Sequence, residues 1–165
     1  MLYGRDDSGY NFAMRRIIFL LAGIALLGFA AEDPLVGVWK LNTAKSHFSH
    51  GDLPLSLVLT IEADGPDGIS YSSKNHLVDG SSGGASYRAK FDGKDYPLTG
   101  SAAYDTVSIR RVNARTFHIQ MKKGAVVIVD TVYAVAADGK SLTRKGTAKK
   151  GAEEVNHFEE WFDKQ

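Results

Sequence analysis

Two short stretches contain residue types that could carry chemistry. His47 and His50 stand in a His-x-x-His spacing, at which two imidazoles can bind one metal ion, and Asp52 is the nearest carboxylate. The 165 residues contain no cysteine, and no other carboxylate stands at ligand spacing. We therefore interpret both histidines as exposed loop residues and predict no metal site.

Residues 80–84 read Gly-Ser-Ser-Gly-Gly, which is similar to the Gly-x-Ser-x-Gly turn that presents a nucleophilic serine. The stretch misses that pattern by one residue and lacks the helix that must follow the turn. A flexible hairpin loop explains it instead. Since no acid, base or nucleophile stands out, we expect neither an enzyme nor a cofactor.

A third group of residues becomes a candidate through strand alternation. In the strand-like segment from Ile69 to Val78, the face that begins with Ile69 and Tyr71 continues through Ser73 and Asn75, so it changes from apolar to polar. Buried polar groups are costly unless they are hydrogen-bonded, so these residues pair with each other and water or meet a ligand. The predicted ligand-binding residues are Tyr71, Ser73, Asn75, Tyr87, Arg111 and Phe117.

Arg111 is the predicted contact for the polar end of the ligand, together with Tyr71 and Tyr87, because its planar donors suit a carboxylate. Two alternatives stay open. Arg111 could lie at the barrel mouth with its guanidinium in solvent. A register slip of one residue would turn Ser73, Asn75 and Arg111 outward.

The first 30 residues have the pattern of an export signal. A basic segment, Met14–Arg16, precedes the apolar run Ile17–Phe29, and Gly28 and Ala30 suit a cleavage site. We predict a signal peptide within residues 1–30 and one domain over residues 31–165. The alternatives are an uncleaved membrane anchor and a true start at Met14.

The mature chain has a neutral charge balance. Cleavage after Ala30 leaves 135 residues and removes three of 20 basic and two of 19 acidic residues, so that 17 of each remain. This balance favours neither nucleic acid nor an anionic membrane. We expect a soluble bacterial protein, periplasmic or secreted and monomeric, with no stable membrane insertion after cleavage.

Short alternating segments separated by turns favour an all-β protein. Leu57, Leu59 and Ile61 alternate with polar residues, and Asp92-Gly93 is a strong hairpin signal. With no convincing long helix, the pattern predicts an antiparallel up-and-down β-barrel of eight to ten strands. The polar loop 43–54 is expected to cross one mouth. The segments predicted as strands are 37–42, 56–62, 69–78, 85–91, 96–98, 106–112, 116–122, 126–135, 141–148 and 153–162.

The last two segments carry opposite charge, basic in the first and acidic in the second, so cross-strand ion pairs should reinforce their register. We expect Arg144 to lie near Glu159, in an exposed pair of small energetic weight.

The chain resembles the lipocalin and fatty-acid-binding superfamily through Gly37-x-Trp39 at the first strand and a meander of the right length. It is more closely similar to small exported bacterial proteins of unassigned activity, described as lipocalin-like. The resemblance implies that Gly37 and Trp39 are structural, that the barrel holds apolar molecules, and that Lys164 or Arg144 stacks on the tryptophan. The closer match is carried by residues 39–48, 91–100, 105–107 and 137–143.

Two functions follow from these observations. The first is an exported protein that binds a small apolar ligand, such as a fatty acid or isoprenoid, inside the barrel. The second is a barrel with a filled core that acts as a structural or interaction module of the envelope. The volume of the interior cavity separates them.

Overall fold

The chain folds into antiparallel β-strands. The structure, a computed structural model, describes residues 32–150 and 153–165. In that part of the chain, no helix is long and apolar enough to cross a membrane. The wall of the fold is formed by β1 (Gly37–Leu41), β3 (Ser56–Ala63), β4 (Gly68–His76), β6 (Ser86–Lys90), β7 (Asp92–Thr99), β8 (Thr106–Asn113), β9 (Thr116–Lys123), β10 (Val126–Val135), β11 (Ser141–Lys150) and β12 (Glu153–Lys164). The short strands β2 (His47–Phe48) and β5 (Ser82–Gly83) add to its rim.

The ten wall strands close into a barrel. Each pairs with its neighbour in chain order, and β12 also pairs with β1, where Lys164 lies opposite Trp39. The predicted fold class, an antiparallel up-and-down barrel, is confirmed. The predicted signal peptide lies outside the described residues.

The barrel has two ends of different character. The end where β1 begins is called here the Trp39 end. It carries the segment 33–36 that leads into β1 and the connections 64–67, 114–115 and 136–140. The opposite end, called the loop end, carries the longer connections 42–55, 77–85 and 100–105 and the turn 124–125.

Large apolar side chains fill the interior towards the Trp39 end. Leu57, Leu59 and Ile61 all point inward, as their alternation predicts. The largest side chains that solvent cannot reach are those of Trp39, Tyr133, Phe117 and Phe162, with Leu35 beside them. Wide side chains therefore occupy this half of the barrel.

Trp39 is anchored from both sides. Its side chain is fully buried, and its Nε1 donates a hydrogen bond of 2.9 Å to the carbonyl oxygen of Leu35. Lys164 Nζ lies 5.2 Å from the centre of the indole ring, a cation–π contact. Of the two basic residues considered for this position, Lys164 occupies it and Arg144 does not.

Gly37 makes room for that lysine. A Cβ at position 37 would lie 2.5 Å from Lys164 Cε. The backbone φ angle of Gly37, +146°, is one that residues other than glycine rarely adopt. The glycine two residues before the tryptophan therefore lets the Lys164 side chain pass along the strand to the ring.

Two local predictions need correction. The sequence predicts a strand of only three residues, 96–98, but β7 is eight residues long and pairs with both β6 and β8. The segment 43–54, predicted to be a loop, contains the strand β2. Since β1 is much shorter than β12, part of β12 lacks a neighbour, and β2 pairs there through Phe48 opposite Phe158.

Trp39→Ala should lower the free energy of unfolding by about 3–5 kcal/mol, as truncation of a buried aromatic residue does. Urea denaturation followed by far-ultraviolet circular dichroism measures this. Trp161→Ala is the matched control, because Trp161 is only partly buried and its Nε1 donates to Glu159 on the outer surface. Equal losses in the two variants would contradict the anchoring role of Trp39.

Candidate functional site

A cavity of about 370 Å³ lies inside the barrel at the loop end. It opens between the connections 77–85 and 100–104 and reaches down to Arg144 in the middle of β11. Of the predicted ligand-binding residues, Tyr71, Ser73 and Asn75 line it. Its other side-chain walls include Leu57, Leu77, Ala85, Tyr104 and Met121.

Arg144 forms the floor of this cavity. Its Nε is ion-paired with Glu160 Oε2, and its Nη1 donates a hydrogen bond of 3.3 Å to the hydroxyl of Tyr133. Glu160 is 1% exposed, whereas 18% of the Arg144 side chain remains exposed. Because Arg144 also lines the cavity, its guanidinium is the charged group that a molecule in the cavity would meet.

Aromatic rings surround the guanidinium. Arg144 Cζ lies 5.4 Å from the ring centre of Phe158, 5.9 Å from that of Tyr133 and 6.0 Å from that of Phe162. Burial acts to lower the pKa of Arg144, but Glu160 and the neighbouring tyrosines hold it well above its ordinary value. The arginine is therefore a permanent cation in this interior.

Two tyrosines stand beside the floor. The rings of Tyr71 and Tyr87 stack with centres 4.5 Å apart and planes 9° apart. Burial, with a contribution from Tyr133, raises the pKa of both phenols well above the ordinary value, so both stay neutral at physiological pH. Tyr87 packs against Tyr71 in the core and is not among the residues that line the cavity.

Asn75 has an unpaired atom. Its Oδ1 is buried and has no hydrogen-bond partner within residues 32–150 and 153–165, and the residue lines the cavity. The hydroxyl of Tyr87, in the core, is likewise buried without a hydrogen-bond partner in the described residues. Since unpaired buried polar atoms are costly, Asn75 Oδ1 favours a donor in the cavity.

The predicted grouping of Arg111 with Tyr71 and Tyr87 is not formed. Arg111 lies at the Trp39 end, ion-paired with Asp33, and its Cζ is 4.2 Å from the ring centre of Phe91 and 4.7 Å from that of Phe117. β8 runs towards the Trp39 end, and Arg111 lies near the end of this strand. β4 runs the other way, so Ser73 and Asn75, in its second half, lie towards the loop end. Phe117 is fully buried beneath Arg111 and does not line the cavity.

The expected Arg144–Glu159 pair is replaced by another pairing. An unbroken register from Lys150 opposite Glu153 would place Arg144 opposite Glu159. A bulge between Ala148 and Lys149 shifts the register by one, so Arg144 faces Glu160 inside the barrel. Glu159 pairs instead with Lys145 on the outside, at 2.8 Å. Sequence reasoning therefore missed Glu160, because periodicity alone does not reveal the extra residue.

The two stretches with chemical residue types remain ordinary surface features in the structure. His47 belongs to the β2 pairing, and His50 Nδ1 lies 3.1 Å from Ser49 Oγ. Within the described ranges, no group of three or more metal-binding side chains comes together. In the 80–84 stretch, Ser82 and Gly83 form β5 and Ser81 Oγ donates to Asp79, so the stretch builds the cavity rim.

The chain matches no protein-family profile and no curated protein sequence. Among solved structures it is similar to Rv2717c from M. tuberculosis, at 13% identity and a TM-score of 0.52 over 80% of this chain and 93% of that one. It is also similar to a redesigned β-barrel, at 10% identity and a TM-score of 0.51 over 80% of this chain and 92% of that one. These likenesses support the barrel fold and do not extend to the lipocalin family or to export, which stay predictions.

Removing one partner of the buried pair should be costly. Arg144→Met leaves the Glu160 carboxylate without its cation, which should lower the free energy of unfolding by about 3–5 kcal/mol. Combining Arg144→Met with Glu160→Leu removes both charges and should recover a large part of that loss. Urea denaturation of the single and double variants measures the coupling.

Lys145→Met is the matched control, because it breaks the adjacent Lys145–Glu159 pair on the exposed side of the same two strands. It should change the urea midpoint little. Equal effects of the Arg144 and Lys145 substitutions would show that the inner pair is not shielded from solvent.

Proposed function

We propose that this protein binds a small amphipathic molecule inside the barrel, with the polar end of the molecule at Arg144. The observation that carries the proposal is the cavity of about 370 Å³ that ends on a partly exposed arginine. Small-molecule sites typically have volumes of about 300–1,000 Å³ and combine apolar walls with a few convergent polar groups.

The lining suits such a molecule. Leu57, Leu77 and Met121 offer apolar surface to its body. Asn75 adds a polar side chain to the wall, whereas Ser73 Oγ, on the same β4 face, already accepts a hydrogen bond of 3.0 Å from the backbone N–H of Ala85. Arg144 supplies fixed hydrogen-bond donors that keep their charge at all physiological pH values. This arrangement supports the binding function predicted from the sequence but moves its polar contact from Arg111 to Arg144.

The proposal includes export. The basic and apolar segments from Met14 to Ala30 support a secreted or periplasmic carrier. We further propose that this carrier acts as a monomer. We propose no catalytic step, cofactor or nucleic-acid partner.

The second candidate is a structural or interaction module of the envelope. It is favoured by the packed half of the barrel, where Trp39, Phe117 and Phe162 leave no exposed interior surface. The cavity at the loop end supports the carrier function instead, because a purely structural core has no need for a space that reaches a charged floor.

Native mass spectrometry of protein purified from its own host, followed by extraction of bound molecules, tests the proposal. The wild type should carry a small amphipathic molecule. Ala85→Leu, which adds a larger side chain to the cavity wall, should lose most of it. Ser86→Leu is the matched control, because the side chain of Ser86, next to Ala85 in the chain, is exposed on the outer face of the barrel. Arg111→Ala should also retain the ligand, because Arg111 is paired with Asp33 at the Trp39 end.

If the wild type carries nothing and binds none of the added fatty acids, retinoids or isoprenoids, the carrier function is refuted and the envelope module takes its place. Equal loss of ligand from Ala85→Leu and Ser86→Leu would place the binding site elsewhere.

A further inference from the structure

We propose that Glu160 makes the cavity selective for ligands whose polar end is uncharged, and that a hydroxyl or a primary amide fits better than a carboxylate. The inference rests on the proposed binding function and concerns the chemical class of the ligand. It assigns to Glu160 the role of a specificity-determining residue that acts through Arg144.

The charge of the cavity floor is already balanced. Arg144 is the one cation among the described residues that line the cavity, and its Nε is paired with Glu160. Glu160 is 1% exposed, so little water screens its charge. The guanidinium therefore presents hydrogen-bond donors to the cavity without a net positive charge to neutralise.

A ligand carboxylate would disturb this balance. It would approach the same guanidinium that holds the Glu160 carboxylate, so two anions would share one cation in an interior with limited screening. A hydroxyl or carbonyl oxygen accepts the same N–H groups and adds no charge. The neutral group therefore gains the hydrogen bonds of Arg144 without the repulsion.

Asn75 provides an independent argument. The residue lines the cavity, and its buried Oδ1 lacks a hydrogen-bond partner in the described chain, so a donor group that reaches this atom would satisfy it. An ionised carboxylate has only acceptors and would leave this atom unpaired. A hydroxyl or a primary amide both accepts and donates, and so satisfies the chemistry of Arg144 and Asn75 together.

Three probes of equal chain length test the inference: decanamide, decanol and decanoate, each titrated calorimetrically into the delipidated full mature chain. Above about pH 7 the acid is ionised, as ordinary carboxyl pKa values lie near 4. The wild type should bind the amide and the alcohol at least about tenfold more tightly than decanoate. This comparison needs no substitution, so it holds even where a variant fails to fold.

Glu160→Gln keeps the size of the side chain and removes its charge. It should raise the affinity for decanoate about tenfold and leave the affinity for decanamide within about threefold of the wild type. Glu159→Gln is the matched control, because it removes the same charge from the neighbouring residue, which pairs with Lys145 on the outer face. It should change neither affinity.

The outcomes separate this inference from the proposed function. Binding of decanoate more tightly than of the neutral probes by the wild type would overturn the selectivity and leave the carrier function standing. Binding of none of the three probes would count against both. A folded Glu160→Gln variant with wild-type preference would show that Glu160 does not set the selectivity.

Discussion

The closure of ten strands through the β1–β12 pairing is the constraint on which the rest of the structure depends. A barrel of about eight strands is just wide enough for its own side chains to fill, so a ten-stranded wall encloses more space. At the Trp39 end the indole, Tyr133 and Phe162 fill that space. At the loop end the walls include Ala85, Gly83 and Gly84, and a cavity remains.

The buried pair of Arg144 and Glu160 divides these two halves. Taking two charges out of water costs several kcal/mol for each ion, and close contact with hydrogen bonds is needed to offset that cost. Here Tyr133 accepts from Arg144, three aromatic rings face its guanidinium, and Glu160 is shielded from solvent. The same arrangement leaves one side of the arginine towards the cavity, which is why a structural pair can also be a binding surface.

Alternation in the sequence is enough to predict which face of a strand a residue occupies, as for Leu57, Leu59 and Ile61. It does not show how far along the barrel axis a residue lies, and it therefore groups Arg111, which lies at the Trp39 end, with Tyr71, which lines the cavity. Nor does it show a bulge. Val155 is the extra residue between the β12 positions that face Lys149 and Ala148, and this one-residue shift brings Glu160 inside. The Gly37-x-Trp39 pattern implies structural roles for both residues but leaves open whether Lys164 or Arg144 covers the ring.

We expect the cavity to hold a ligand against Arg144. A high-resolution crystal structure of the protein, purified from its own host without removal of bound molecules, tests this most directly. We expect electron density for a small molecule within hydrogen-bond distance of the Arg144 guanidinium, with Glu160 still paired behind it. A cavity closed by inward movement of residues 77–85 and 100–104, with side chains packed on Arg144, would contradict the account.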